Sequence, residues 1–473
     1  TDGWRGVLGV DITIETLLPV AVAAANELLY RAPSGLTSRQ VIIGYDRRFL
    51  APELAVAVAA VVKGCDLEPL LTKTSVPTPA CSWAVVNRKT LGAIVITASH
   101  NPPEWIGLKI KGPDGASVER DFTDAVEKRI SVNRLAIPSE EPIKIFDARK
   151  EHIEALKKKF DIPRIVAGLR KIGLKVIVDP MHGSASGCMK ELLQNNDENF
   201  DFLKEIRSNR DPLFGGKSPE PLARNLDQLI GEVKNLNISG ESSIGLVFDG
   251  DGDRIAAIDE KGRFCSTQLL MPLLVEHLAK VRGLEGSVVK TVSGSDLMRL
   301  VSEDLGREVL ELPVGFKYIA KEMIKGDVLV GGEESGGIGF GMHLPERDAL
   351  FAALLVLEAL TSAGQTLGLK LKDLENRFGS SYYDRVDLIL PSIQSRHKLE
   401  NFLKENPLEK VNNNKVSEVI STDGFKFRIA KNFWLMFRFS GTEPLLRIYC
   451  EAPNKEIVKE TLSWAKDLAE KND

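Results

Sequence analysis

Asp249-Gly250-Asp251-Gly252-Asp253-Arg254 carries the most specific chemical signal in this chain. Three carboxylates at alternate positions fall on one side of an extended loop. The intervening glycines let the backbone fold tightly around a cation. Without a counter-ion the three would repel one another and raise their pKa values, and a hard divalent ion resolves that repulsion. A solvated acidic turn is the bland alternative, and a calcium-binding EF-hand loop is the serious rival. In an EF-hand the acidic positions would be Asp249, Asp251 and Asp253, closed by Glu260. However, Arg254 stands where that loop needs Gly. The flanks Ile244–Phe248 and Ile255–Ile258 also read as strands rather than helices. Mg²⁺ keeps few protein carboxylates and completes its shell with phosphate or water, so it suits this loop better.

Ser99 sits in Thr97-Ala98-Ser99-His100-Asn101-Pro102-Pro103, directly after an apolar run. A hydroxyl at a strand end projects where backbone N–H groups can face an anion. Two prolines stiffen the loop and stop an ordinary helix start. Serine needs a partner to take its proton, and His100 and Lys109 are near enough in sequence to be considered. On this segment alone, a turn serine satisfying backbone donors is the simpler reading. Gly331-Gly332-Glu333-Glu334-Ser335-Gly336-Gly337 offers a carboxylate and a hydroxyl that can hold vicinal sugar hydroxyls; a Gly-rich turn with an acidic cap is the plain alternative. Arg438-Phe439-Ser440-Gly441-Thr442-Glu443-Pro444, with Arg447 beyond, joins hydroxyl and N–H donors to two guanidinium forks, a set suited to phosphate. Arginines on a solvated hairpin would look the same. Lys317 follows a Gly turn in Pro313-Val314-Gly315-Phe316-Lys317-Tyr318, where an exposed helix-start lysine is the competing explanation. No G-x-x-x-x-G-K-[ST] pattern occurs, which argues against ATP as donor.

Short apolar strands must position these loops. Val41–Asp46, Lys175–Asp179 and Ile244–Asp249 share one form, a buried strand ending in Asp, and Ala93–Thr97 runs into the serine loop. Helical patterns such as Ala51–Val62 lie between them. Parallel α/β domains carry their sites at the carboxyl ends of strands. The last hundred residues differ: strands near Phe425–Ile429, Trp434–Phe439 and Leu446–Glu451 precede one amphipathic helix, Lys455–Glu470, as in a small α+β domain. The chain has 473 residues, enough for three or four domains. Its charge of −4 gives no overall field toward nucleic acid or an anionic membrane. Cys65, Cys81, Cys188, Cys265 and Cys450 are odd in number and lack a C-x-x-C pair, as for buried thiols in a reducing compartment. No apolar run approaches the ~18 residues that span a bilayer. The residues given contain no signal peptide, and the start at Thr1 without Met allows for a short segment cut or left out.

Taken together and in order, these loops resemble the α-D-phosphohexomutase superfamily over nearly the whole chain. The likeness begins at Thr1-Asp2-Gly3-Trp4-Arg5-Gly6 and ends at the loop near Arg438. The resemblance implies three related α/β domains with mixed, mainly parallel sheets and a C-terminal α+β domain around a central cleft. We place these domains at 1–138, 139–242, 243–365 and 366–473, with the metal loop at the start of the third. By position, Ser99 resembles a phosphoserine whose phosphate binds Mg²⁺ with Asp249, Asp251 and Asp253. Glu333 and Ser335 would hold sugar hydroxyls, and Gly315 would lie in the substrate loop. Arg438, Ser440, Gly441, Thr442 and Arg447 would hold the phosphate that is not reacting. Arg5, Arg254, Lys109, Lys290 and Lys317 match basic positions of the cleft. Lys109 and Lys317 are candidates for the base, with His100 behind them, provided burial or neighbouring cations lower the lysine pKa. His182 fits a recurrent segment without an evident role. Two departures stand out: Ile106 replaces a usual Asn, and Gly337 stands where the bifunctional mannose/glucose branch usually has His.

The expected reaction is reversible phosphoryl transfer between C1 and C6 of a hexose phosphate, through a 1,6-bisphosphate that also primes Ser99. Glucose phosphates are the first expectation, with mannose phosphates as possible co-substrates. A glucose-1,6-bisphosphate synthase would use the same residues, and a phosphoglucosamine mutase is a further alternative. A divalent-ion or sugar-phosphate sensor is the non-enzymatic reading, weakened because a binder has no need of Ser99. The protein is expected in the cytoplasm, as a monomer or small homo-oligomer, without nucleic-acid or membrane partners.

Overall fold

The computed structural model describes residues 3–130, 137–194, 200–440 and 443–472. Thr1 and Asp2 of the opening segment, and Gly441 and Thr442 of the phosphate loop, lie outside the described residues. The first sheet contains β1 (Trp4–Val7), β2 (Gln40–Tyr45), β3 (Glu68–Thr72), β4 (Gly92–Ile96), β5 (Trp105–Lys111) and β6 (Lys144–Phe146). The second contains β7 (Leu174–Asp179), β8 (Leu203–Glu205), β9 (Ser242–Phe248), β10 (Ile255–Ile258) and β11 (Phe264–Cys265). The third is built from β12 (Ser287–Thr291), β13 (Val309–Leu312), β14 (Val328–Gly332) and β15 (Ile338–Phe340).

The same sheet recurs three times. The strand orders β3-β2-β4-β5, β8-β7-β9-β10 and β13-β12-β14-β15 share one topology, three parallel strands closed by an antiparallel fourth. The central strands are continuous apolar runs such as Gly92-Ala-Ile-Val-Ile96, buried at every position. That is the pattern of a strand covered on both faces. The serine loop follows β4, the aspartate loop follows β9 and the glutamate loop follows β14. They are therefore one and the same loop in three repeats, the turn from the third parallel strand into the antiparallel one.

This topology corrects three expected boundaries. Lys144–Phe146 pairs with β3, so the first unit runs past 138. β9 pairs with β7 along Leu174–Asp179, so the aspartate loop lies within the second sheet and does not open the third domain. The look-alike strands Lys175–Asp179 and Ile244–Asp249 are neighbours in one sheet, and the polar segment before the second is a connection within that unit. Helix Leu367–Phe378 buries Leu367, Leu371, Leu374 and Phe378 in the core that also holds helices Thr267–Lys280 and Ala349–Ala363, so it belongs to the third unit. Among the described residues no single helix is long and apolar enough to cross a membrane.

The C-terminal unit is antiparallel. It has β16 (Tyr382–Ile389), a two-stranded ribbon of β17 (Lys410–Val411) and β18 (Asn414–Lys415), then β19 (Glu418–Ile420), β20 (Phe425–Ala430), β21 (Phe433–Phe439) and β22 (Leu445–Ala452). The main sheet runs β16-β22-β21-β20-β19, with helix Lys455–Asn472 packed against it. It docks on the third unit through Trp434, Met436 and Tyr449 against Val292. Charges are buried around that patch. Glu451 accepts from the Asp296 N–H at 2.8 Å and from the Trp434 indole and Ser295 hydroxyl. Lys426 donates to the Val292 carbonyl at 2.8 Å and lies 3.6 Å from Glu311.

Burial, reinforced by Lys290, lowers the Lys426 pKa to about 7. An unfolded lysine stays protonated to about pH 10.4. Between pH 7 and 10 the unfolded chain therefore binds the extra proton, and Lys426 makes stability rise with pH over that window. Below pH 7 both states are protonated and the contribution is flat. We predict that stability of wild type relative to Lys426→Met grows by up to about tenfold in folding constant per pH unit from pH 7 to 10. Denaturant titrations of both proteins across that range check it; parallel pH profiles would show that Lys426 stays charged.

Candidate active site

The serine loop is fixed from beneath. Thr97 Oγ1 donates to Asp46 Oδ2 at 2.6 Å and accepts the Ser99 N–H at 2.9 Å. Arg48 is fully buried, and its guanidinium donates to the carbonyls of Ser99, Asn101 and Pro102, each at 2.7 Å, and of Trp105 at 3.0 Å. A rigid five-donor fork can hold four carbonyl oxygens where a flexible ammonium could not. Burial pushes Asp46 up to about 6 against the pull of Arg48. Arg5 donates to Asn101 Oδ1 at 2.8 Å from the neighbouring strand. Ser99 is held at φ +51°, a region sparsely populated by side-chain-bearing residues. Its Oγ donates to Asp249 Oδ2 at 2.8 Å and lies 3.5 Å from His100 Nδ1.

The aspartate loop meets it head-on. Asp249 Oδ1 accepts the N–H groups of Asp253 at 3.0 Å and Arg254 at 3.1 Å, curling the loop on itself. Asp251 Oδ2 accepts from Thr78 Oγ1 at 2.5 Å and from Lys109 Nζ at 2.7 Å. Asp253 Oδ2 accepts from Lys109 Nζ at 2.7 Å and lies 3.0 Å from Arg347. Gly250 is required by this approach: a Cβ there would stand 2.5 Å from the Ser99 carbonyl oxygen.

The three carboxylates are buried, and their ligand oxygens lie within 4.8 Å of one another, a set able to hold a metal ion. Asp251 Oδ1 and Asp253 Oδ1 are buried without a hydrogen-bond partner. Oxygen donors of this kind fit a hard divalent cation. Burial, then Asp251 and Asp253, raise the Asp249 pKa well above the usual carboxylate range. Burial also opposes the charge on Asp251, but Lys109 outweighs it and holds that group well below the ordinary value.

The glutamate loop joins the same centre through the backbone. Arg254 pairs with Gly337, the Ile255 N–H donates to the Gly336 carbonyl at 2.9 Å, and the Glu333 N–H to the Gly337 carbonyl at 3.0 Å. Glu333 is buried and lies 3.5 Å from Arg347 Nη1. Ser335 is half-buried in the same turn. In the C-terminal unit, Arg438 Nε donates to Asp423 Oδ2 at 2.8 Å, and that oxygen also accepts the Val314 N–H at 2.9 Å. Asp423 thus ties the phosphate-loop arginine to the Gly315 turn, where Gly315 has φ +138°. Ser440 Oγ accepts the Glu443 N–H at 3.3 Å, and Arg447 Nε stands 3.9 Å from Asp387.

Several basic residues need reassignment. Lys109 would serve as a base only with a lowered pKa. Burial alone lowers it, but Asp251 and Asp253 prevail and raise it, leaving a fixed cation between two carboxylates. Lys290 is fully buried, 2.6 Å from Glu311 and donating to the Gly294 carbonyl at 3.0 Å, contacts that place it at the join to the C-terminal unit. Lys317 lines a cavity of about 270 Å³ with Asp114, Ser117 and Glu119, whose walls include neither Ser99 nor the aspartates. His100 is shifted well below the ordinary imidazole value by burial, then by Arg254 and Arg5, so it is neutral near pH 7. Sequence reasoning missed Arg48, Thr78 and Arg347. Arg48 had a signal, two residues beyond the strand-end Asp46; Thr78 and Arg347 meet the aspartates only through tertiary packing.

Comparison with known proteins identifies the family. The descriptions "Phosphoglucomutase/phosphomannomutase, alpha/beta/alpha domain" I, II and III match residues 1–136, 150–262 and 267–378, and the C-terminal domain of the same family matches 396–464. A probable phosphoglucosamine mutase of Methanosphaera stadtmanae is 30% identical over 96% of this chain and 94% of its own length. A phosphoglucomutase/phosphomannomutase of Thermococcus kodakarensis is 28% identical over 99% and 98%. The crystal structure of a putative phosphomannomutase from Thermus thermophilus superposes with a TM-score of 0.85 at 31% identity, covering 99% of this chain and 98% of that one. The chain belongs to the phosphoglucomutase/phosphomannomutase family of the α-D-phosphohexomutase superfamily. It is a phosphohexomutase, an isomerase that works by phosphoryl transfer on hexose phosphates.

Arg48→Met should unlock the serine loop. Removing one partner of a buried charged pair costs ~3–5 kcal/mol, and here it also strips four carbonyls of their donor. We expect backbone amide exchange across residues 97–105 to accelerate at least tenfold while the C-terminal unit is unchanged. Unaltered exchange in that loop would show that the carbonyls do not depend on Arg48.

Proposed function

We propose that the protein is a phosphoglucomutase, interconverting glucose 1-phosphate and glucose 6-phosphate with Ser99 as the phosphoryl carrier. The observation that supports it most directly is Ser99 Oγ at 2.8 Å from Asp249, within a triad that leaves two buried carboxylate oxygens without a hydrogen-bond donor. Asp249, Asp251 and Asp253, with a phosphate oxygen on Ser99, would hold Mg²⁺, which when bound offsets charge on the transferring group. Lys109 keeps Asp251 and Asp253 ionised and in register. The hexose phosphate docks with its hydroxyls on Glu333 and Ser335. Its unreactive phosphate sits on Arg438, Ser440, Gly441, Thr442 and Arg447. Arg5 and Arg254 add positive charge beside the serine.

The attacking sugar hydroxyl replaces Ser99 Oγ at phosphorus, and its proton must leave. With Lys109 pinned as a cation, His100, a neutral imidazole 3.5 Å from Ser99 Oγ, takes up that proton and gives it to the serine oxygen as the O–P bond breaks; in the return step it takes the proton from the attacking Ser99 and passes it to the departing sugar oxygen. The 1,6-bisphosphate then turns over in the cleft and returns its other phosphoryl group to Ser99. A hexose 1,6-bisphosphate primes the serine. The free cysteines, most of them buried, fit a reducing cytoplasm. A second reading, phosphoglucosamine mutase, draws on the name borne by the 30% identical relative.

Glucose 1-phosphate, mannose 1-phosphate and glucosamine 1-phosphate, each with Mg²⁺ and a trace of the matching bisphosphate, separate these readings. We expect glucose 1-phosphate to give the highest kcat/KM, and Ser99→Ala to lose at least a thousandfold on it. A clear preference for glucosamine 1-phosphate would replace the leading reading with the second. Full activity in Ser99→Ala would remove the carrier mechanism.

A further inference from the structure

The turn that follows the glutamate loop's serine is glycine for a steric reason. A Cβ at Gly337 would stand 2.2 Å from Arg347 Cδ and 2.9 Å from its Cγ. The Arg347 side chain fills the space beside residue 337. Arg347 is buried, and its guanidinium lies 5.2 Å over the Phe316 ring. One nitrogen is 3.0 Å from Asp253 Oδ2 in the metal loop, and another is 3.5 Å from Glu333 Oε2 in the sugar loop. Its backbone N–H donates to Glu346 Oε1 at 3.0 Å, and Glu346 in turn pairs with buried Lys111 of the first unit. The residue on its other side, Asp348, caps helix Ala349–Ala363 through the Leu350 and Phe351 N–H groups, each at 3.1 Å. The root of Arg347 is therefore locked by both neighbours, and only its head reaches the site.

We propose that Arg347 is a positioning residue for this reaction, a guanidinium that fixes the Glu333 carboxylate for the sugar hydroxyls and ties it to Asp253 of the metal loop, made possible by the missing side chain at Gly337. The proposal rests on the phosphohexomutase reading of the site. A planar fork is suited to bridging two carboxylates at fixed spacing. Removing it takes away the guanidinium 3.5 Å from Glu333 and so loosens the link between that carboxylate and the metal loop. The effect should fall first on sugar binding, because Asp253 keeps Lys109.

A double-mutant cycle with Arg347→Ala and Gly337→Ala, with Arg347→Met as a further single variant that removes the charge and keeps the stem, tests this. Gly337→Ala leaves both carboxylates intact and displaces only the Arg347 stem. In a Ser99→Ala background, which binds without turnover, calorimetry should show each single variant binding glucose 6-phosphate at least tenfold more weakly. Adding Gly337→Ala to Arg347→Ala should cost little more, since that truncation removes the Cγ and Cδ atoms the new methyl group would meet, which Met would keep as Cγ and Sδ; such non-additivity marks two residues acting through one contact. In the enzyme with Ser99 intact, KM should rise more than kcat falls, and Arg347→Lys should recover part of the binding but not all. Near wild-type binding by Arg347→Met, or fully additive losses, would overturn the inference. Circular dichroism melts of each variant separate loss of fold from loss of binding, and Gly337→Ala, which deletes nothing, stands as the second probe if Arg347→Met unfolds. Lack of any hexose-phosphate isomerisation by the unmutated chain would count against the proposed function and not against this assignment alone.

Discussion

Three aspartates packed within a few ångströms, out of water, are the constraint around which this molecule is organised. Two like charges 4 Å apart at an effective dielectric of 20 repel by about 4 kcal/mol, and burial adds the loss of hydration. The protein meets this with cations held in fixed places. Lys109 comes from the first unit, Arg347 from the third, and Arg254 from the loop itself. Thr78 and Ser99 add hydroxyl donors from the first unit. Asp251 and Asp253 each still keep one oxygen without a hydrogen-bond donor. Neutralisation is thus left incomplete on the side where a divalent ion and a phosphoryl group would enter. The same requirement forces the units together, because no single one supplies enough positive charge.

Triplication of one sheet makes that convergence geometrically simple. The turn from the third parallel strand into the antiparallel strand carries the serine in the first unit, the aspartates in the second and the glutamate in the third. Each is the same point of the same topology. Backbone contacts then close the gaps: Gly250 against the Ser99 carbonyl, and Arg254 against Gly337. These contacts need an absent side chain, as at Gly250, or a carbonyl in reach, so they set distance where charge sets affinity. The C-terminal unit stands apart in topology and is joined by a small apolar patch ringed with buried ions. Asp423 adds a link from Arg438 to the Gly315 turn through two hydrogen bonds, beside those of Glu451 and Lys426.

Much of this was legible in the sequence where it depended on local pattern. The apolar runs of β2, β4, β7 and β9, the strands flanking the aspartates, and the α+β character of the tail all follow from periodicity and composition. The domain edges were not legible, because strand pairing is non-local: Lys144–Phe146 and Ser242–Phe248 join sheets through partners far along the chain. Among site residues, those announced by unusual spacing were found, and Ser99 gained its meaning only beside the other loops. Lys109 illustrates the limit. Its position predicted membership of the site, but whether it could shed a proton depended on two carboxylates about 140 residues away. Lys290 failed for a related reason: a basic residue at a strand end can as readily face a neighbouring carboxylate as a ligand.

The division of labour among the basic groups follows from what each one touches. A lysine between two carboxylates gains more from staying charged than burial takes away, so it is unfit to move protons. An imidazole among cations is pushed the other way and remains neutral. His100 lies next to the serine and shares with Lys109 a surplus of positive neighbours, yet only the lysine has carboxylates in direct contact. The two adjacent groups therefore hold opposite charge states at the same pH, one fixed for electrostatic work and one free to accept a proton. In the proposed reaction, that separation would let His100 carry a proton between the attacking and departing oxygens in either direction while Lys109 keeps its charge.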